Sequence, residues 1–255
     1  MTKRLALVTG GCSGIGLAVA RLLVADHDLA LAYASHHERA AEAARLLQDH
    51  DGRSVIRVFG GCLRTYDDAR ALVDAVTREF GRGPDVLVNA VGRIHDELFI
   101  GSSFEHHQQL VQEHLIVSMA LAHLVAREMY KARFGRIVNI GSISARYAKR
   151  GQTSYAAAKA GLEGFSRTLA LELAHRGVTV NVVAPGVIDT PPAQDFIARL
   201  TQRPGGIAGK IPTGRVGAPD DVAGLISFLC SERARYITGA VLTVDGGRSL
   251  GDAQS

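Results

Sequence analysis

Tyr155 and Lys159 are separated by three alanines, and Gly141-Ser142 precedes the tyrosine by thirteen residues. Positions i and i+4 of a helix share a face, so the phenol and the ammonium would be neighbours. An ammonium beside a phenol favours the phenolate and draws the phenol's pKa down from about 10. Such a tyrosine passes a proton to or from a substrate oxygen near neutral pH. Ser142, at the end of an apolar run, sits where parallel sheets bind ligands and could hydrogen-bond the same oxygen. Singly, each residue has an ordinary explanation: a helix start, a solvated lysine, a turn serine. Together they describe proton transfer at a carbonyl or alcohol oxygen.

A second motif supplies the context. The first apolar run leads into Thr9-Gly10-Gly11-Cys12-Ser13-Gly14-Ile15-Gly16. Glycines at 10, 14 and 16 permit a tight turn and close backbone approach at a helix N-terminus, where amides and dipole favour a pyrophosphate. A glycine-rich turn alone is weak evidence, but its place after the first strand of a βαβ unit favours a dinucleotide. A nicotinamide charge would then add to the pull of Lys159 on Tyr155. The second strand ends near Ser35, His36, His37, Glu38 and Arg39. An NAD site usually carries an acidic residue at the strand end. Here Glu38 already belongs to the next helix and donors surround it, so NADP(H) is favoured over NAD(H).

These residues need a scaffold, and the hydrophobic pattern supplies one. Strands are expected at 4–9, 29–33, 54–59, 86–89, 136–140, 178–183 and 240–244. Helices are expected at 14–25, 38–49, 67–80, 105–133, 155–175 and 220–230. Alternating units with continuously apolar strands predict an α/β, doubly wound parallel sheet with helices on both faces. No linker divides residues 1–255, so one domain is expected. The stretch 184–219, rich in Pro, Gly and Thr, is too long for a connector and is expected to be a substrate lid.

With these motifs assembled, the sequence resembles the classical short-chain dehydrogenases/reductases over nearly its whole length, and most closely the 3-oxoacyl-[acyl-carrier-protein] reductases. The resemblance rests on residues 9–16, Asn89, Ser142, Tyr155, Lys159, the segment Pro185-Gly186-Val187-Ile188-Asp189-Thr190 and the terminal Val244-Asp245-Gly246-Gly247. It implies a seven-stranded Rossmann sheet, a homotetramer joined through the two long helices, and hydride transfer from NADPH to a ketone. By this resemblance Tyr155 is the acid, Lys159 holds the nicotinamide ribose, and Ser142 positions the carbonyl. The cofactor would meet Gly10, Cys12, Ser13, Gly14, Ile15, Gly16, Ser35, His36, Cys62, Asn89, Ala90, Gly92, Pro185 and Gly186, with Ile188 and Thr190 at its carboxamide. Arg133 and Arg176 match the family's contacts to an acidic acyl carrier protein.

Five positions depart from the family pattern. His114 replaces an Asn that anchors a water in the proton relay, and imidazole can serve that relay or merely fill the space. Asn89-Ala90-Val91-Gly92 stands for Asn-Asn-Ala-Gly, Cys62 for the Asp at the adenine, and Ser13 for a basic residue in the glycine turn. Each weakens a standard cofactor contact while the catalytic set stands intact.

Composition narrows the rest. The 255 residues are 47% hydrophobic and carry 28 glycines, enough for a buried core and unlike a disordered chain. No run of 18 apolar residues or signal-peptide core appears, so no membrane span is expected. Three scattered cysteines form no CxxC pair, which suggests a reduced, cytoplasmic protein. His36, His37, His95, His106 and His107 lack ligand spacing, so no metal is expected. The net charge of +4 is dispersed, which argues against nucleic acid and suits a phosphorylated cofactor and an acidic carrier. Expected function is NADPH-dependent reduction of a β-ketoacyl thioester in fatty-acid or polyketide-type biosynthesis. The alternatives are a reductase or dehydrogenase for a free small molecule, and a nucleotide-binding regulator that lost turnover.

Overall fold

The computed structural model describes residues 3–51, 53–92, 96–201 and 206–251. Seven strands form one sheet: β1 (Arg4–Thr9), β2 (His27–Tyr33), β3 (Ile56–Gly60), β4 (Val86–Asn89), β5 (Gly135–Ile140), β6 (Val178–Pro185) and β7 (Val241–Val244). Their spatial order is β3-β2-β1-β4-β5-β6-β7, and every pairing is parallel. Parallel neighbours need crossovers, and here these are helices on both faces, so alternate strand residues are buried on each side.

Ala6 and Val8 of β1 pack into one core layer with α1 (Gly14–Leu23), α2 (His37–Asp51) and α8 (Pro219–Cys230). Leu5 and Leu7 pack into the opposite layer with α3 (Tyr66–Phe80), α5 (Val117–Ala132) and the end of α6 (Thr153–Leu173). A one-residue slip of β1 would exchange these two sets, so packing fixes its register.

The differences from the expected elements have local causes. Strand β2 starts two residues early, at His27, because Asp28 is held in the sheet edge by Arg82 and by the amide of Val55. The expected helix at 105–133 is α4 (Phe104–Val111), a π-helical turn (Gln112–Ile116) and α5. By length and composition alone 104–132 could cross a membrane. Here α5 packs against α3 and β5 as a core helix. Within 184–219, β6 continues to Pro185 and a short helix, α7 (Gln194–Thr201), follows. That helix was not legible in the Pro- and Gly-rich pattern. His95 and Gly52 lie outside the described residues.

Strand order reverses between β1 and β4, and the crevice beyond the carboxyl ends of the strands there is where open α/β sheets bind ligands. A cleft of about 1140 Å³ occupies that position.

Candidate active site

The floor of the cleft is the turn from β1 to α1. Gly10 has φ +63°, and a β-carbon there would lie 2.9 Å from the carbonyl oxygen of Ala90. A β-carbon on Gly16 would collide with the carbonyl of Gly10. Both contacts explain why glycine is required where β1, β4 and α1 converge. Ser13 N-caps α1 without a side-chain bond, and the first turn carries no acidic residue. Its amides therefore border the cleft without an internal anion competing for them, which fits a pyrophosphate. Thr190 closes over this turn, with its Cγ2 3.2 Å from where a Gly14 β-carbon would sit.

Toward the far end of the cleft lie Tyr33, Ser35, His36, Arg39, Cys62 and Arg64. His36 adopts φ 65°, the left-handed region, which turns the chain out of β2 toward α2. Hydroxyl, imidazole and guanidinium donors gather here with no carboxylate among those six residues, a chemistry suited to a phosphate on the ribose. The cleft thus fits an adenine dinucleotide at its turn and at its distal end.

At the other end stand the candidate catalytic residues. Ser142 follows β5 and Tyr155 lies in the first turn of α6, both nearly buried. The Ser142 hydroxyl is close enough to the phenol to favour the phenolate. Lys159, one turn on and 4% exposed, donates from Nζ to the carbonyl of Ile140 at 2.7 Å. That bond ties α6 to the end of β5 and holds the ammonium 5.7 Å from the Tyr155 ring centroid. Burial pushes the Tyr155 phenol up to about 12, with Ser142 favouring the phenolate and Asp96 opposing it. Burial draws Lys159 down to about 8. The expected lowering of the Tyr155 pKa is therefore reversed in the protein alone, because desolvation outweighs the one group that favours the phenolate, Ser142. A protonated phenol is the form that donates a proton.

His114 sits in the π-helical turn between α4 and α5, where the widened backbone projects it into the cleft. Its ring meets Tyr155 edge-on, with centroids 4.9 Å apart at 89°. The other side of the imidazole lies against Gly92, where any β-carbon would collide with it. A larger ring in this position is thus matched by a missing side chain on the facing backbone.

Of the residues singled out from the sequence, Ser142, Tyr155, Lys159 and His114 are brought together. Gly10, Cys12, Ser13, Gly14, Ile15, Gly16, Ser35, His36, Cys62, Ala90, Gly92, Pro185, Gly186, Ile188 and Thr190 all line the cleft. Asn89, at the end of β4, is not among the residues lining the cleft. Its side chain is buried and donates to Asn139 at 2.8 Å, and Asn139 in turn donates to Ser166. It is a strut between β4, β5 and α6, outside the cleft wall. Arg133 caps the C-terminus of α5 and Arg176 precedes β6, so both lie at the amino ends of the strands. They adjoin each other, since a Gly177 β-carbon would come 2.7 Å from the Arg133 carbonyl. They are a strand's length, on the order of 20 Å, from their own cleft.

Several cleft residues escaped sequence reasoning: Asp96, Ser144, Tyr147, Lys149, Gln152 and Phe196. The nearest available signal was Gln152, a polar residue three positions before Tyr155. Lys149 pairs with Asp96 at 2.6 Å and lies 3.8 Å over the ring of Phe196 on α7, joining the 184–219 stretch to the catalytic side. Among the described residues no His, Cys, Asp and Glu cluster is arranged to hold a metal.

Comparison with known proteins agrees with this geometry. A family model described as enoyl-(acyl carrier protein) reductase matches residues 10–249. The 3-oxoacyl-[acyl-carrier-protein] reductase FabG of Escherichia coli (strain K12) is 38% identical over 247 residues, 96% of this chain and 96% of that protein. The 3-oxoacyl-[acyl-carrier-protein] reductase MabA of Mycobacterium tuberculosis (strain CDC 1551 / Oshkosh) is 38% identical over 252 residues, 98% of this chain and 94% of that protein. Among solved structures, YwfH, an NADPH dependent reductase involved in bacilysin biosynthesis, superposes with TM-score 0.91 at 25% identity, covering 97% of this chain and 98% of that one. Acetoin dehydrogenase YohF from Salmonella typhimurium gives TM-score 0.88 at 34% identity and covers 100% of both chains.

Proposed function

This chain belongs to the short-chain dehydrogenase/reductase family and is an NAD(P)-dependent oxidoreductase, and from that premise we propose that it reduces a β-ketoacyl thioester. The product is the β-hydroxyacyl thioester, the acyl chain is borne by an acyl carrier protein, and the setting is cytoplasmic fatty-acid or polyketide-type synthesis. The observation that carries this reading is the convergence of Ser142 and Tyr155 beside a tethered Lys159 in the cleft.

A bound nicotinamide cofactor supplies hydride. Tyr155, protonated because it is buried, donates its proton to the carbonyl oxygen as negative charge develops there. Ser142 donates a second hydrogen bond to that oxygen and stabilises the same charge. Lys159 would orient the cofactor ribose, and its ammonium stabilises the phenolate that proton donation leaves. The α1 amides would hold the pyrophosphate, Ile188 and Thr190 would face the carboxamide, and Ser35, His36 and Arg39 would hold a 2′-phosphate. That donor set favours NADP(H) over NAD(H). Residues 1–255 act as one domain, with 184–219 as the substrate lid, and the chain assembles as a homotetramer through its long helices. Since Arg133 and Arg176 lie far from their own cleft, they would serve a carrier docked at a neighbouring subunit's mouth.

A second reading is reduction of a free small ketone, favoured by the full-length similarity to an acetoin dehydrogenase. NADPH oxidation with acetoacetyl-carrier protein, acetoacetyl-CoA and acetoin separates the two. The first reading requires the carrier-bound substrate to give the highest kcat/KM and Tyr155→Phe to abolish turnover. Preference for acetoin establishes the second. Full activity in Tyr155→Phe sinks the mechanism common to both.

A further inference from the structure

Between Ser142 and the cleft mouth runs a continuous line of hydrogen bonds that the chemistry above does not use. Asp96, in the segment after β4, accepts from Lys149 Nζ at 2.6 Å on one carboxylate oxygen and from Gln152 Nε2 at 2.7 Å on the other. The Oε1 of Gln152 accepts from the Ser144 hydroxyl at 2.7 Å. The Ser144 amide donates to Ser142 Oγ at 3.1 Å. The line ends at the Ser142 hydroxyl, which faces the cleft beside Tyr155.

Donor and acceptor roles along it are fixed. An ionised carboxylate only accepts, so it dictates which end of the Gln152 amide faces Asp96. The amide oxygen must then face Ser144, and the Ser144 proton goes to it. With that hydroxyl committed, Ser144 meets Ser142 through its amide, which can only donate. Ser142 Oγ therefore receives a bond from behind, and its own proton is left for Tyr155 or a substrate oxygen. Gln152 is 4% exposed, so it cannot exchange these partners for water at little cost. The line also joins three separate segments: the loop after β4, the turn after β5 and the entry to α6. A backbone bond from Glu97 to Gly151 reinforces the same junction at 3.0 Å.

We propose that Asp96 and Gln152 are positioning residues for carbonyl reduction, holding the Ser142 hydroxyl through Ser144 with its proton aimed at the reacting oxygen. This rests on the reading of Ser142 and Tyr155 given under the proposed function. Its consequence appears in the transition state, where the carbonyl oxygen gains charge, more than in substrate binding.

Gln152→Leu removes both ends of the amide and should lower kcat about tenfold, the scale of one oriented hydrogen bond, with KM and NADPH affinity within about twofold. Gln152→Glu supplies a titratable test. The charged and polar groups facing that side chain are Asp96 and Lys149 from the mouth, Ser144 from the β5 turn, and Tyr155 with Lys159 on α6; Glu97 and Arg150 flank it. As a carboxylate, the substituted side chain would repel Asp96; once protonated, it would donate to Asp96 and accept from Ser144 as the amide does. The kcat of this variant relative to wild type should therefore rise about tenfold from about pH 8 to about pH 6, whereas Gln152→Leu should show a flat ratio. Steady-state kinetics with NADPH and acetoacetyl thioester, plus NADPH binding followed by fluorescence, reads all of these quantities. A Gln152→Leu kcat within twofold of wild type overturns the positioning role, and so does a pH-independent Gln152→Glu ratio. Loss of NADPH affinity in step with kcat also overturns it, since that marks general damage to the fold. A folded wild type that binds NADPH yet reduces no ketone overturns the underlying reading and the positioning role together.

Discussion

Replacing Lys159 by methionine should stabilise the protein while removing its activity. The lysine is 4% exposed, its ammonium donates to one backbone carbonyl, and burial draws its pKa from 10.5 to about 8. A lysine whose pKa is lowered on folding binds fewer protons in the folded state than in the unfolded one. Stability therefore rises with pH between the folded and unfolded values, and below them the folded state bears the full cost of the buried charge. Linkage puts that cost at about 3 kcal/mol at pH 7 and about 2 kcal/mol at pH 9. Methionine removes it but leaves the Ile140 carbonyl without this donor, a loss of about 1 kcal/mol. The net gain for Lys159→Met is about 2 kcal/mol at pH 7, shrinking to about 1 kcal/mol at pH 9. Urea unfolding of both proteins at fixed concentration, from pH 7 to pH 9, measures the gap. A gap that stays constant or widens over this range would refute the argument, and so would a Lys159→Met protein less stable at pH 7.

Turnover should fall about tenfold in His114→Ala and survive in His114→Asn, because a polar group that donates and accepts is retained; equal rates in all three proteins leave His114 as packing. Gly92→Ala should destabilise by about 2 kcal/mol or more, since its φ of +153° disfavours a side chain and its β-carbon collides with the His114 ring, and only the collision's share of that loss should disappear in the double variant with His114→Ala. A thermal-melt double-mutant cycle checks the coupling, and simple additivity contradicts it. Arg39→Glu should lower kcat/KM for NADPH relative to NADH by about ten- to a hundredfold, the scale of a charge-assisted bond lost to a phosphate. Arg133→Glu with Arg176→Glu should slow the carrier-bound substrate and spare the free thioester, because neither arginine borders its own cleft.

The sheet was legible because parallel strands buried on both faces read as unbroken apolar runs, as in Leu5–Val8 and Val86–Val88. The glycine turn and the Tyr155–Lys159 spacing were legible because each depends on short-range geometry. What escaped depends on tertiary approach. Asp96 and Gln152 are fifty-six residues apart, and only the convergence of the β4 and β5 loops brings them together. Asn89 sits at a strand end, where sequence does not reveal which way its amide turns; the sheet turns it inward to Asn139. Arg133 and Arg176 were assigned by resemblance, and resemblance carries no information on which end of a strand an arginine occupies relative to its own cleft.

Burial was the other quantity hidden from the sequence, and it changes how the proton transfer works. In water a phenol and an ammonium have similar proton affinities, about 10 and 10.4, so neither drives a proton toward the other. Inside this site the charged form of each is penalised, which moves them apart in opposite directions: Tyr155 to about 12 and Lys159 to about 8. The phenol then stays protonated before the reaction, and any phenolate it leaves is a stronger base than the neighbouring amine. Proton return to Tyr155 is downhill from the lysine side, and the lysine, left neutral by that transfer, regains its charge by taking a proton from solvent. A solvent-exposed Tyr and Lys at the same spacing would lack that direction, which is why the 4% exposure of Lys159 matters to the chemistry as much as the spacing does.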